Sequence, residues 1–191
     1  MANRLTKIYT RSGDRGLTRL ATGEQVSKTG VRIEAAGHLD ETNSTIGLIL
    51  CETDVPDNVR SILTAVQHNL FDIGAELALP GRETTNADDV ARLESELDQL
   101  NDALPPLTEF VLPGGPRSAS SCHLARSVCR RAERALWRLA EETELNSELL
   151  KYVNRLSDLL FVIARVLARQ ADGTEPLWQP ARDKNLSKGS E

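Results

Sequence analysis

The 191-residue chain is 40% hydrophobic, enough for one sizeable core, and neither a secretory leader nor a run of ~20 apolar residues is present, so a cytoplasmic single-domain protein is expected. The net charge of minus 5 is unevenly spread: residues 1–32 carry Arg4, Lys7, Arg11, Arg15, Arg19, Lys28 and Arg32 against Asp14 and Glu24, a surplus of plus 5, which leaves minus 10 on the remainder. A short basic segment on an acidic body fits a local polyanion site better than a nucleic-acid surface, which needs a more extensive basic face; the alternative is a solvated basic arm.

Gly13, Gly16, Gly23 and Gly30 break up the polar N-terminal segment, which is expected to form a loop or ribbon. Helical periodicity starts near Glu34, where Ala35, Leu39, Thr42, Ile46 and Ile49 follow the i, i+3, i+4 rule to about Cys51. A second helix follows Pro56-Asp57 and carries Val59, Ile62, Val66, Leu70, Ile73 and Leu77 on one face, stopping at Pro80-Gly81. The third has Val90, Leu93, Leu97, Leu100 and Leu104 and ends at Pro105-Pro106. After an extended piece and turn, Glu109 to Pro116, the serines Ser118, Ser120 and Ser121 offer caps for a fourth helix that runs to about Glu142. The fifth spans about Ser147 to Gln170 with Leu149, Val153, Leu156, Leu160, Ile163 and Leu167 in register. Five amphipathic helices predict an all-α five-helix bundle over residues 33–170, with residues 181–191 as a disordered tail and Leu177-Trp178 docking on the body. The cysteines Cys51, Cys122 and Cys129 are odd in number and lack C-x-x-C spacing, as expected of buried thiols in a reducing compartment.

At about 100° per residue, Arg126, Arg130, Glu133 and Trp137 of the fourth helix form a stripe bordering its apolar arc, while Arg131, Arg134 and Arg138 point further out. On the fifth helix Asn154, Asp158, Phe161 and Arg165 form a similar stripe that can complete the same pocket, and on the first, Asp40, Ser44 and Gly47 lie apart from the core face. Such stripes also serve simply to pair helices. His38, His68 and His123 each lack a Glu three residues earlier, which excludes a carboxylate-bridged di-iron bundle, and neither a Walker nor a Rossmann glycine motif is present. A nucleotide would need another cradle. Thr10-Arg11-Ser12-Gly13-Asp14-Arg15-Gly16 supplies converging backbone N–H groups, hydroxyls and cations.

The segments Lys7 to Asp14, Val26-Ser27-Lys28, Gly37 to Ser44, Phe110 to Gly115, Arg126 to Arg134 and Tyr152 to Phe161 resemble, in this order, the PduO-type cobalamin adenosyltransferases. The departures are Gln25, where arginine is common, and Thr29, where aspartate is common. The resemblance implies a ferritin-like helical bundle that assembles as a homotrimer, with active sites between subunits and an N-terminal loop, mobile without nucleotide, closing over MgATP. It implies that Thr10, Arg11, Ser12, Gly13 and Lys28 bind ATP from the loop, and that Arg126, Arg130, Glu133 and Asn154 complete the site, the two arginines being catalytic. Asp40 is expected to pair with Arg126 across the subunit boundary, and Phe110 to exclude the lower axial base of cobalamin. The implied substrates are MgATP and cob(I)alamin, with magnesium held mainly by the phosphates. The implied partners are a separate reductase and an adenosylcobalamin-dependent client enzyme, and no nucleic acid or membrane. The competing readings are a non-catalytic cobalamin carrier and a helical assembly protein whose stripes only specify the oligomer.

Overall fold

The structure, a computed structural model, describes residue 9 and residues 11–180. A two-stranded antiparallel ribbon, β1 (Leu17–Arg19) paired with β2 (Gln25–Ser27), precedes five helices: α1 (Val31–Leu50), α2 (Asp57–Ala78), α3 (Ala87–Asp102), α4 (Arg117–Ala140) and α5 (Ser147–Asp172). The all-α bundle read from periodicity is the observed fold.

Helix α4 lies between α1 and α5, α2 packs on the outside of α1, and α3 packs on α5. The order follows from where each helix is apolar. On α5 the residues Leu149, Val153, Leu156, Leu160, Ile163 and Leu167 are all buried, facing Cys122, Ala125, Cys129, Ala132 and Leu136 of α4. The small residues of α4 allow close approach while the leucines of α5 fill the seam, each large side chain contributing about 1.5–3 kcal/mol on burial. The sulfhydryls of Cys122 and Cys129 donate to the carbonyls of Leu160 and Val153, tying the two helices together, and burial pushes both thiols' pKa up. Between α1 and α2, the amides of Asn43 and Gln67 each donate to the other's backbone carbonyl at 3.2 Å.

The helix ends are fixed by local chemistry. Arg60 donates to the carbonyls of Leu50 and Glu52, satisfying acceptors that α1 leaves open at its C-terminus. Asn86 and Asp89 form a reciprocal capping box for α3, and Asn146 caps α5. Helix α5 stops at Gly173, whose φ of 76° is the left-handed cap conformation that glycine adopts most readily.

Several expectations need correction. Helix α4 is preceded by Pro116, with no side-chain cap; Ser118 is buried inside the first turn and donates to Asp54 at 2.7 Å, and Ser120 donates to Gly115 O. Cys51 is exposed, because α1 ends there and the chain turns away from the core. Leu124, an apolar residue of α4, is nonetheless 51% exposed, since α1 and α5 cover only two sides of α4. Residues 181–191, expected to be a tail, lie outside the described residues.

The fold also contains a buried carboxylate that the apolar periodicity of α2 did not single out. Glu76 is 5% exposed and accepts from the backbone N–H and hydroxyl of both Thr84 and Thr85, and from Asn146. Burial alone would raise its pKa, but the hydrogen bonds from Thr85 and Thr84 outweigh it and the net displacement is downward. A depressed folded-state pKa contributes stability that is complete above the unfolded carboxylate range and is lost as pH falls through the folded value. Glu76→Gln is therefore expected to cost about 1–3 kcal/mol at neutral pH, with the gap to the parent closing in acid. Urea midpoints across an acid series check this; a gap that does not narrow would remove the ionised carboxylate from the account.

Candidate functional site

Helix α4 carries Arg117, Arg126, Arg130, Arg131, Arg134 and Arg138, and the structure separates them by partner. Arg117 pairs with Glu52 at 3.1 Å, Arg138 with Glu34 at 3.4 Å, and Arg131 with Glu41. Glu34 and Glu41 stand seven residues apart on α1, matching the spacing of Arg138 and Arg131, so this seam is held by two ladder rungs. Arg131 is thus half-buried and engaged, not solvated as the wheel placed it, because α1 crosses the face it occupies. Arg126 and Arg130 have no carboxylate partner among the described residues. Arg130 is exposed, whereas Arg126 is half-buried with its Nε out of contact with water and without an acceptor.

Glu133, one turn beyond these arginines, accepts from Asn154 Nδ2 at 2.9 Å. The stripes of α4 and α5 therefore meet at this bond, and the α5 stripe adjoins the α4 stripe as it was expected to be able to do. Arg165, the far end of the α5 stripe, goes elsewhere: it is 3% exposed and bonds Glu175 at 2.7 Å and the carbonyl of Pro105 at 2.8 Å. Next to Arg126, His123 is buried beside Phe161, their ring centroids 6.3 Å apart. Burial and then the Arg126 charge hold its pKa below the ordinary range, so the ring is neutral at physiological pH.

The glycine loop is built around Lys28. Its backbone N–H donates to Gly16 O at 2.9 Å, Gly16 N–H donates to Gly13 O at 3.2 Å, and its ammonium lies where a Cβ on Gly13 would stand, 2.7 Å away. A side chain at position 13 would displace the lysine. Arg11 has a φ of 60°, and its guanidinium lies 5.6 Å from the Tyr9 ring centroid. Ser12 is exposed, and Thr10 lies outside the described residues. Among the described residues, Lys28 makes no hydrogen bond or ion pair with the α4 stripe.

Phe110 is 76% exposed, in the extended segment before α4. That segment is bound to the chain after α5: Leu112 N–H donates to Pro176 O at 2.7 Å, Trp178 N–H donates to Phe110 O at 2.8 Å, and Val111 bridges Leu177. Trp178 meets the Phe110 ring edge-on at 6.1 Å and 71°, so Leu177-Trp178 docks as expected. Gly115, at φ 97°, brings this segment against α5, where a Cβ would lie 3.5 Å from that of Ala168. Asp40 is exposed and has no ion pair among the described residues; within one chain it does not reach Arg126.

Residues 8–167 match the sequence profile of the family described as Cobalamin adenosyltransferase. The chain belongs to that family. It is 52% identical over 183 residues to the Cobalamin adenosyltransferase of Cupriavidus metallidurans, an alignment covering 96% of this chain and 100% of the relative. It is 40% identical over 192 residues to the Corrinoid adenosyltransferase of Mycobacterium leprae, with 94% and 99% covered. Among solved structures, a variant PduO-type ATP:corrinoid adenosyltransferase from Lactobacillus reuteri complexed with cobalamin and ATP superimposes with a TM-score of 0.85 at 32% identity, covering 91% of this chain and 100% of that one.

In this chain, sequence reasoning missed Arg155 and Glu94. Arg155 donates to Asn154 Oδ1 at 2.6 Å and to Glu94 Oε1 at 2.8 Å. The signals for Arg155 were its adjacency to Asn154 and its place in the Tyr152 to Phe161 segment. None existed for Glu94, which α3 brings to α5 from 61 residues away.

Proposed function

We propose that the protein transfers the 5'-deoxyadenosyl group of ATP to cob(I)alamin, giving adenosylcobalamin and triphosphate. The observation that carries the reading is the pair Arg126 and Arg130, without carboxylate partners among the described residues, beside the Glu133–Asn154 hydrogen bond on a chain of this family. In the reaction the cobalt(I) lone pair attacks the 5' carbon, a cobalt–carbon bond forms, and the carbon–oxygen bond to triphosphate breaks with its electron pair leaving on oxygen. Cobalt is oxidised formally from Co(I) to Co(III), and no proton transfer is required. The protein's task is alignment and charge stabilisation.

Thr10, Arg11, Ser12, Gly13 and Lys28 are assigned to the phosphates, and Arg126, Arg130, Glu133 and Asn154 to the remainder of the nucleotide site. Magnesium belongs to the nucleotide substrate and rides on its phosphates. Phe110, exposed and braced by Trp178, presents an apolar face to the corrin on the side where the axial base would bind. Removing that ligand eases reduction of Co(II) by a separate reductase. The complete site lies between copies of the chain in a homotrimer. Asp40, exposed and without an ion pair among the described residues, and the half-buried Arg126 Nε, without an acceptor among them, are complementary ends of an ion pair that the two do not form within one chain. Free, buried Cys122 and Cys129 support a reducing compartment, the cytoplasm, and no helix among the described residues is long and apolar enough to cross a membrane.

The test is anaerobic mixing of the protein with MgATP and chemically reduced cobalamin, following the corrin spectrum and released triphosphate. One triphosphate per light-sensitive cobalt–carbon product is expected. Tight corrin binding without product would replace the transferase by a carrier, and binding of neither ligand would leave an assembly protein.

A further inference from the structure

We propose that Arg155, held by Glu94, is a positioning residue that fixes the Asn154 amide in one orientation for the nucleotide; the inference rests on the assignment of Asn154 to that site. The two ends of an asparagine amide are alike in shape, so an unrestrained amide turns over easily, exchanging a donor for an acceptor. Here the neighbours prevent this. Arg155 only donates and meets Oδ1 at 2.6 Å; the Glu133 carboxylate only accepts and meets Nδ2 at 2.9 Å. Turning the amide over would set N–H against guanidinium and C=O against carboxylate, losing both bonds at once.

The locked orientation decides what the nucleotide meets. Nδ2 carries two N–H groups and spends one on Glu133, so the side of Asn154 toward α4, where Arg126 and Arg130 also lie, presents a further donor. A donor there suits an acceptor atom of ribose, base or phosphate. Arg155 performs its part with one rigid fork: Nε on Glu94 at 2.8 Å sets the guanidinium plane, and a second nitrogen then reaches Asn154. An ammonium has no such plane and would not hold both acceptors in fixed geometry. The chain of contacts thus runs from α3 through α5 to α4.

Folding alone gives little reason for the arrangement. The side chains of Arg155 and Glu94 are 40% and 48% exposed, and ion pairs so open to water add little to stability. The effect is expected in nucleotide binding.

The experiment uses the full-length protein with chemically reduced cobalamin and varied MgATP. Arg155→Gln is expected to raise KM for ATP about 10-fold, leaving KM for cobalamin and the melting temperature near parental values. Arg155→Lys should resemble Arg155→Gln, and Glu94→Gln should give a smaller rise in the same direction. In an Asn154→Ala background, Arg155→Gln should add nothing, since its target is gone. The proposal is overturned if Arg155→Gln leaves KM for ATP unchanged, raises both KM values alike, or multiplies the Asn154→Ala effect in full. Parental kinetics for Arg155→Lys would overturn the fork. If Asn154→Ala itself leaves KM for ATP unchanged, the nucleotide assignment of Asn154 fails first and takes the positioning role with it. A silent Arg155→Gln beside a damaging Asn154→Ala sinks the positioning role alone.

Discussion

Glu175→Ala is expected to destabilise the protein by about 3–5 kcal/mol, a large effect for a residue outside every helix. Arg165 is 3% exposed, with Nε on one Glu175 oxygen at 2.7 Å and a terminal nitrogen on the other at 3.2 Å. Removing the carboxylate strands a buried guanidinium whose remaining acceptor is the Pro105 carbonyl at 2.8 Å. Arg169 also loses its 3.2 Å partner. Glu175→Gln keeps hydrogen-bonding capacity and should cost less. Chemical denaturation measures both, and an unchanged midpoint for the alanine variant would show that the pair contributes nothing net. Because Pro176, Leu177 and Trp178 follow directly and bind the 110–112 segment, the same variant should loosen Phe110.

Arg130→Ala carries the largest expected loss of activity, about 10²–10³-fold in the transfer rate, as for removal of one preorganised donor to developing charge. The fold should survive it. Arg130 is exposed, its side chain has no ion pair among the described residues, and the hydrogen bond it accepts, from Arg134 at 2.9 Å, uses its backbone carbonyl. Parental circular dichroism with single-turnover transfer near the parental rate would remove Arg130 from the catalytic group.

These two residues illustrate what the sequence reveals and what it withholds. The phase of a helix is legible residue by residue, so the leucines of α5, the Arg126–Arg130–Glu133 stripe of α4 and the stripe of α5 that holds Asn154 could each be placed on a helix face beforehand. What another helix puts opposite a side chain is not written in that phase. Arg131 looked as solvated as Arg134 until α1 brought Glu41 to it. Arg165 shared a stripe with Asn154 yet turns to Glu175, since the chain after α5 folds back along the bundle. Ser118 has the composition of a cap but lies one residue inside the helix, where Pro116 has already set the entry angle. The assignments of the loop residues and Phe110 rest on motif resemblance, because helical periodicity says nothing about segments that are neither helical nor apolar.

The uneven exposure of the thiols gives the protein an internal clock. Cys51 lies open at the end of α1, whereas Cys122 and Cys129 are sealed in the α4–α5 seam with their sulfhydryls on carbonyls of the opposite helix. An alkylating probe added to the native protein meets one thiol at once and two more only when those helices part. The slow phase of modification therefore times the opening of the seam that carries Glu133 on one side and Asn154 on the other, and slowing of that phase by a ligand would report that the ligand clamps the two helices together.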